Sequence, residues 1–199
     1  MTRFLQGLVL LCFSAAILAQ PAPVVRIRGN VESLEGNTLK VKTRGGESLT
    51  VQLADNAVVI GITKASVADV ATGKFIGTTT VGEREGALVA LEIHIFPENM
   101  RGTGEGHRDW DLRPNSKMTN ANVADVKAMG ADRVMTVSYK GGEKKVLITP
   151  DTAVVGYTPT DRGELKPGAP VFINAERKPD GSLAASRVNV GLNGQVPPM

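Results

Sequence analysis

The chain has 199 residues, a formal net charge of +3, one cysteine, 22 glycines and 4% aromatic residues. So small a charge excess excludes nucleic-acid binding driven by a basic surface. Scarce aromatics, abundant glycine and frequent valine and threonine favour many short strands over helices.

Residues 1–19 read as a secretory signal peptide. Arg3 precedes an apolar block, 4–18, interrupted only by Gln6, Gly7 and Ser14, and Ala19 suits the position before a cut. The block falls short of the ~20 residues that span a bilayer, so cleavage after Ala19 is expected, with no stable membrane span afterwards. Cys12 leaves with it, which excludes disulfides, thiolate metal sites and cysteine nucleophiles from the mature chain. The expected compartment is periplasmic or secreted.

From Val24 the pattern is that of strands. Val25-Arg26-Ile27-Arg28-Gly29-Asn30-Val31 alternates apolar and polar residues, Leu34-Glu35-Gly36-Asn37 turns the chain, and Thr38-Leu39-Lys40-Val41-Lys42-Thr43 returns. A turn at Arg44-Gly45-Gly46-Glu47 leads into Ser48-Leu49-Thr50-Val51-Gln52-Leu53. A short apolar run, 57–62, precedes at most a turn or two of helix at 64–70, and strands follow at 75–81 and 87–96. In the last of these Leu91, Ile93 and Ile95 point one way and Glu92 and His94 the other.

The same landmarks then recur. Lys140-Gly141-Gly142-Glu143 and Asp151-Thr152-Ala153-Val154-Val155 repeat Arg44-Gly45-Gly46-Glu47 and Asp55-Asn56-Ala57-Val58-Val59 at 96 positions, and Gly181-Ser182-Leu183 repeats Gly86-Ala87-Leu88 at 95. Asn122-Val123 answers Asn30-Val31 at 92, which places about four extra residues near 127–132. The expected architecture is all-β: two tandem small barrels of the OB or SH3-like kind, at 24–97 and 118–191, a Gly-rich linker at 98–117 and a flexible tail at 192–199. One larger sandwich in which the copies share strands is the alternative.

Gly29-Asn30-Val31, Thr38-Leu39-x-Val41, Val67-Ala68-Asp69-Val70-x-x-Gly73 and Gly86-x-Leu88-x-Ala90-x-x-Ile93, with Leu165-Lys166-Pro167-Gly168 and Gly181-Ser182-Leu183-x-Ala185-x-x-Val188 in the second copy, carry a resemblance. The chain resembles exported bacterial proteins of domain-of-unknown-function family 5666, and the segment 94–111 is similar to one found in a proteobacterial subgroup of them. The resemblance implies a small β-barrel fold and export, and no activity.

The segment 94–111 holds both histidines and the only tryptophan. His94 and His107, with Glu105 and Asp109 and with Glu92, Glu98 and Asp111 nearby, form a ligand set for a divalent metal, to which Met100 and Met118 could add thioether sulfur. The plainer reading puts His94 on a solvated strand face, since Asn189 takes its place in the second copy, and leaves His107 padding the loop. Gly102-Thr103-Gly104-Glu105-Gly106 lacks the lysine and helix start of a phosphate loop. Trp110, with Arg101 and Arg108, is a candidate partner-binding platform or a plug in the groove between the barrels. No serine has a nucleophile-elbow context, and no aromatic platforms for nucleic acid lie on the strands. The expected function is an exported, non-enzymatic binding protein that takes an envelope protein, a glycan or a small molecule at the barrel junction and needs no cofactor. The alternatives are a divalent-metal-binding protein and, least favoured, an envelope-polymer hydrolase.

Overall fold

Alternating sequence in the first copy builds β1 (Val24–Glu35), β2 (Thr38–Thr43), β3 (Ser48–Lys64), β4 (Phe75–Arg84) and β5 (Ala87–Ile95). The second copy gives β7 (Lys117–Met129), β8 (Asp132–Tyr139), β9 (Gly142–Ile148), β10 (Ala153–Thr160), β11 (Pro170–Arg177) and β12 (Leu183–Gly191), and β6 (Gly106–Asp109) lies between the copies. This computed structural model describes residues 23–199, so the expected signal peptide and Cys12 lie outside the described residues.

The short helical segment expected at 64–70 is a single 3-10 turn, Val67–Asp69, closed by Asp69 accepting from the Ser66 amide and hydroxyl at 2.8 Å each. One continuous strand, β3, corresponds to two in the second copy. Pro150 stands where the first copy has Ala54, and a proline has no amide hydrogen for the ladder. Thr152 secures the break by accepting from the Thr149 amide at 2.9 Å and donating to the Ala90 carbonyl at 3.1 Å.

The strand order shows how the copies combine. β1, β2 and β3 form an antiparallel meander, β1 pairs with β11, and β12 pairs with both β11 and β3, closing a five-stranded barrel. The other strands repeat the scheme: β7, β8 and β9 form a meander, β4 pairs with β7, and β5 touches β9 through Leu88↔Val146 and Val89↔Leu147. Each ring therefore takes three strands from one copy and two from the other. A barrel closed within 24–97 and another within 118–191 do not form. The alternation that specifies each strand is equally satisfied by the homologous partner from either copy, so it cannot assign the pairing.

β10 links the rings by pairing antiparallel with β3 and parallel with β5. The β3–β10 ladder runs from Val59↔Thr160 to Lys64↔Val155 and maps onto itself when the copies are exchanged, which marks a local twofold axis like that of an isologous dimer. Ile27, Leu39, Val41, Val51 and Ile173 are among the residues filling the barrel, and Ile76, Ile93, Val123, Met135 and Val146 among those filling the second ring. A third cluster of Ile62, Val155, Phe172 and Met199, with Trp110 and Tyr157 against it, sits between them.

The tail expected to be flexible at 192–199 is docked. Met199 is 1% exposed and takes a hydrogen bond at 3.0 Å from Arg28 Nε, while Arg44 Nη2 donates to the Pro197 carbonyl at 3.0 Å. The Gly-rich segment is no free tether either: β6 adds to the edge of β7 from Gly106↔Asn120 to Asp109↔Lys117.

Candidate functional site

The site is built on the outward faces of β4, β5 and β7. Cross-strand partners share a face, so His94, Gly77, Asn120 and Gly106 form one row, and Ile93, Thr78, Thr119 and His107 form the next, pointing the opposite way. His94 therefore faces the junction of the two rings. It is 3% exposed, not solvated as the plainer reading of the sequence had it. Glu92, 1% exposed, takes a hydrogen bond from the Thr79 hydroxyl at 2.6 Å and one from His94 Nδ1 at 3.1 Å. Glu92 thus engages the Nδ1 side of the ring, and Nε2 is turned the other way. Tyr157, on β10, stacks on the imidazole with ring centres 5.1 Å apart and planes 9° from parallel, and Phe96 meets both rings edge-on. Burial and the Glu92 charge push the Tyr157 hydroxyl far up, against a weaker pull from Arg187, so it stays protonated. It donates to Met199 Sδ at 3.3 Å.

These groups form one wall of a cavity of about 190 Å³ between the rings. Asn120, Arg108 and Trp110 close it on the side of the second ring, and Phe172, Asn189 and Arg187 on the side of the barrel. Ser116 holds Trp110 in place by accepting from its amide at 2.9 Å and donating to its carbonyl at 3.1 Å. The indole lies 6.3 Å from the Phe172 ring and has the Arg26 guanidinium over its face at 4.0 Å. It thus joins the second-ring insertion to the barrel, and it also lines the cavity.

Asn120 and Asn189 are each 5% exposed, yet their Oδ1 atoms have no hydrogen-bond partner among the described residues, and the same is true of Trp110 Nε1. Both amide orientations are fixed. Asn120 Nδ2 donates to the Thr103 carbonyl at 2.9 Å and Asn189 Nδ2 to the Phe172 carbonyl at 3.3 Å, so each side chain leaves an acceptor oxygen over. A buried polar atom left alone costs ~1–3 kcal/mol, and three around one cavity are not explained by packing.

The charge around the cavity is positive. Asp111 accepts from Arg28 at 2.7 Å and lies 3.5 Å from Arg26. Arg108 and Arg187 make no ion pair among the described residues. Burial, and after it the neighbouring Arg26, hold the Arg108 guanidinium below the usual arginine range. Partial burial pushes Asp111 up, but the Arg28 hydrogen bond and the two guanidinium charges together outweigh it and hold the carboxyl below the ordinary 3.8. A carboxyl lowered on folding stabilises above its unfolded value, and that contribution disappears as pH falls through the lowered one. The melting temperature is therefore expected to drop more steeply below about pH 4 in the native chain than in Asp111→Asn, as thermal unfolding across that range would measure.

The predicted metal ligands do not converge. His94 and His107 point to opposite faces of one sheet. His107 Nδ1 is 2.8 Å from Thr119 Oγ1, its ring stacks on Tyr139, and burial together with Lys144 and Lys117 holds it below the usual histidine range. Glu105 accepts from the Lys140 amide at 3.0 Å, and Asp109 is paired with Lys117. No group of three or more His, Cys, Asp or Glu side chains able to hold a metal occurs among the described residues. Of the predicted platform, Trp110 and Arg108 line the cavity. Arg101 does not: it staples the turn at Glu98–Met100 to Asn122 and to the Gly73 carbonyl, which it reaches at 2.8 Å.

Sequence reasoning missed Asn120, Tyr157, Phe172 and Arg187. The correspondence of His94 with Asn189 was the one available signal, since it paired a residue of each copy that ends in the same cavity. No family model matches the chain, and neither the curated proteins nor the solved structures contain one significantly similar to it.

Proposed function

We propose that the chain is an exported binding protein whose ligand sits in the cavity at the junction of the two rings. The observation that carries this reading is the set of buried, unpartnered polar atoms, Asn120 Oδ1, Asn189 Oδ1 and Trp110 Nε1, around one aromatic-walled cavity. Convergent polar groups in an otherwise apolar hollow are the usual construction of a small-molecule site. Export rests on the N-terminal pattern and on the resemblance to family 5666; on that reading the mature protein begins at Gln20, which N-terminal sequencing of secreted material would check.

Trp110 is the only tryptophan, so its fluorescence reports on this cavity alone. Equilibrium dialysis of the mature protein against an extract of envelope small molecules, followed by mass spectrometry, is expected to retain a specific compound. That compound should alter Trp110 emission when added back. Asn189→Leu together with Trp110→Ala should reduce retention at least about tenfold while circular dichroism stays unchanged, since two of the residues that line the cavity are replaced. Equal retention by native protein and double variant would rule the cavity out as the binding site.

A further inference from the structure

We propose that the occupant of this cavity is a sugar acid: a single hydroxylated six-membered ring carrying a carboxylate. The inference rests on the cavity being the binding site and specifies the chemistry it takes.

Each part of the wall restricts the ligand. Asn120 and Asn189 each commit one amide hydrogen to a backbone carbonyl and leave Oδ1 without a partner, so the buried end of the ligand must bring donors for these two oxygens. Hydroxyl groups do this, whereas a bare hydrocarbon or halogenated ring would leave both oxygens unsatisfied. Trp110, Tyr157 and Phe172 supply flat apolar faces against which the C–H face of a sugar ring packs. Trp110 Nε1 adds a donor with nothing to donate to among the described residues, which calls for an acceptor on the ligand.

The charge selects an anion. Arg108 and Arg187 both line the cavity, and neither is matched by a carboxylate among the described residues. Two acids beside the lining residues are occupied: Asp111 by Arg26 and Arg28, and Glu92 by Thr79 and His94. A carboxylate on the ligand completes the set, because guanidinium groups bind carboxylates through paired, charge-assisted hydrogen bonds. At about 190 Å³ the cavity is smaller than the ~300–1,000 Å³ of sites for drug-sized ligands, a size that suits one ring. The ring comes either free or as the terminal residue of an acidic polysaccharide.

Titration of the full mature protein with D-glucuronate, D-glucose, benzoate and a glucuronate-terminated oligosaccharide, followed by Trp110 fluorescence and calorimetry, separates the cases. Saturable binding of glucuronate is expected, with glucose and benzoate each at least about tenfold weaker because one lacks the charge and the other the donors. Arg187→Gln, at an exposed position where the fold is not at stake, should weaken glucuronate about tenfold and leave glucose unchanged. Tighter binding of the oligosaccharide identifies a polymer end as the source, and equal binding identifies the free acid; both support the class. Glucose binding as well as glucuronate overturns the anion while the cavity reading stands. Benzoate binding as well overturns the hydroxylated ring. No response to these four probes, with the compound retained from envelope extract still binding, overturns the sugar acid alone; no response to that compound either overturns the cavity reading itself.

Discussion

The two halves of the chain, 23–97 and 98–199, made as separate polypeptides, are expected not to form folded monomers on their own and to fold when mixed. Each ring needs strands from both halves. The first half alone holds β1, β2 and β3 without β11 and β12 to complete the barrel, and β4 and β5 without the β7–β9 meander. The lost ladders include β1–β11, from Val24↔Glu176 to Asn30↔Pro170, and β4–β7, from Phe75↔Asn122 to Thr80↔Lys117. They also uncover the faces of Ile27, Ile173, Ile76 and Ala121, each 2% exposed or less. Burying one such aliphatic side chain contributes ~1.5–3 kcal/mol, against a total stability of ~5–15 kcal/mol for a domain, so several such losses remove the fold. Circular dichroism and amide dispersion of each half, then of the equimolar mixture, would measure this. A half that gives a dispersed spectrum as a monomer would show that its strands close on themselves and that the exchange is dispensable. A half that folds only as a homodimer would agree with the local twofold axis, since a second copy then supplies the homologous strands.

Gly77→Ala is expected to destabilise the protein by ~1–3 kcal/mol, a large cost for adding one methyl group. A Cβ at position 77 would lie 1.9 Å from His94 Nε2 and 2.6 Å from Asn120 Oδ1. The imidazole cannot give way, because Glu92 holds its Nδ1 and Tyr157 covers its face. The second copy solves the same position differently. There the cross-strand pair is Phe172 with Asn189, where the first copy has Gly77 with His94, so a large residue on one strand is matched by a smaller one on the other in each case. His94→Asn in the Gly77→Ala background should thus cost less than the sum of the single changes, by ~0.5 kcal/mol or more, in urea unfolding midpoints. Additive costs would show that the imidazole and the glycine are not coupled, and an unchanged midpoint for Gly77→Ala alone would show that the strands separate freely at this point.

The hairpins were legible because turn glycines and apolar alternation stand out as spaced letters: Arg44-Gly45-Gly46-Glu47 and Lys140-Gly141-Gly142-Glu143 locate two of them, and the β2–β3 and β8–β9 turns fall there. The segment 94–111 was likewise marked as foreign to the repeat, and it does supply Arg108 and Trp110 to the cavity wall. Yet grouping His94 and His107 by nearness in sequence went astray, because one row of β-sheet register separates the faces on which they lie.

Local pattern alone thus determined strands, turns and the all-β class, since each depends on residues within a few positions of one another. Which strands complete which ring was decided only by tertiary structure, because strands of like alternation present interchangeable edges and faces. The site was decided there too. Asn120 and Asn189 are ordinary strand residues in the sequence, and they become a matched pair of buried acceptors only when strand exchange sets β7 and β12 on two sides of one cavity.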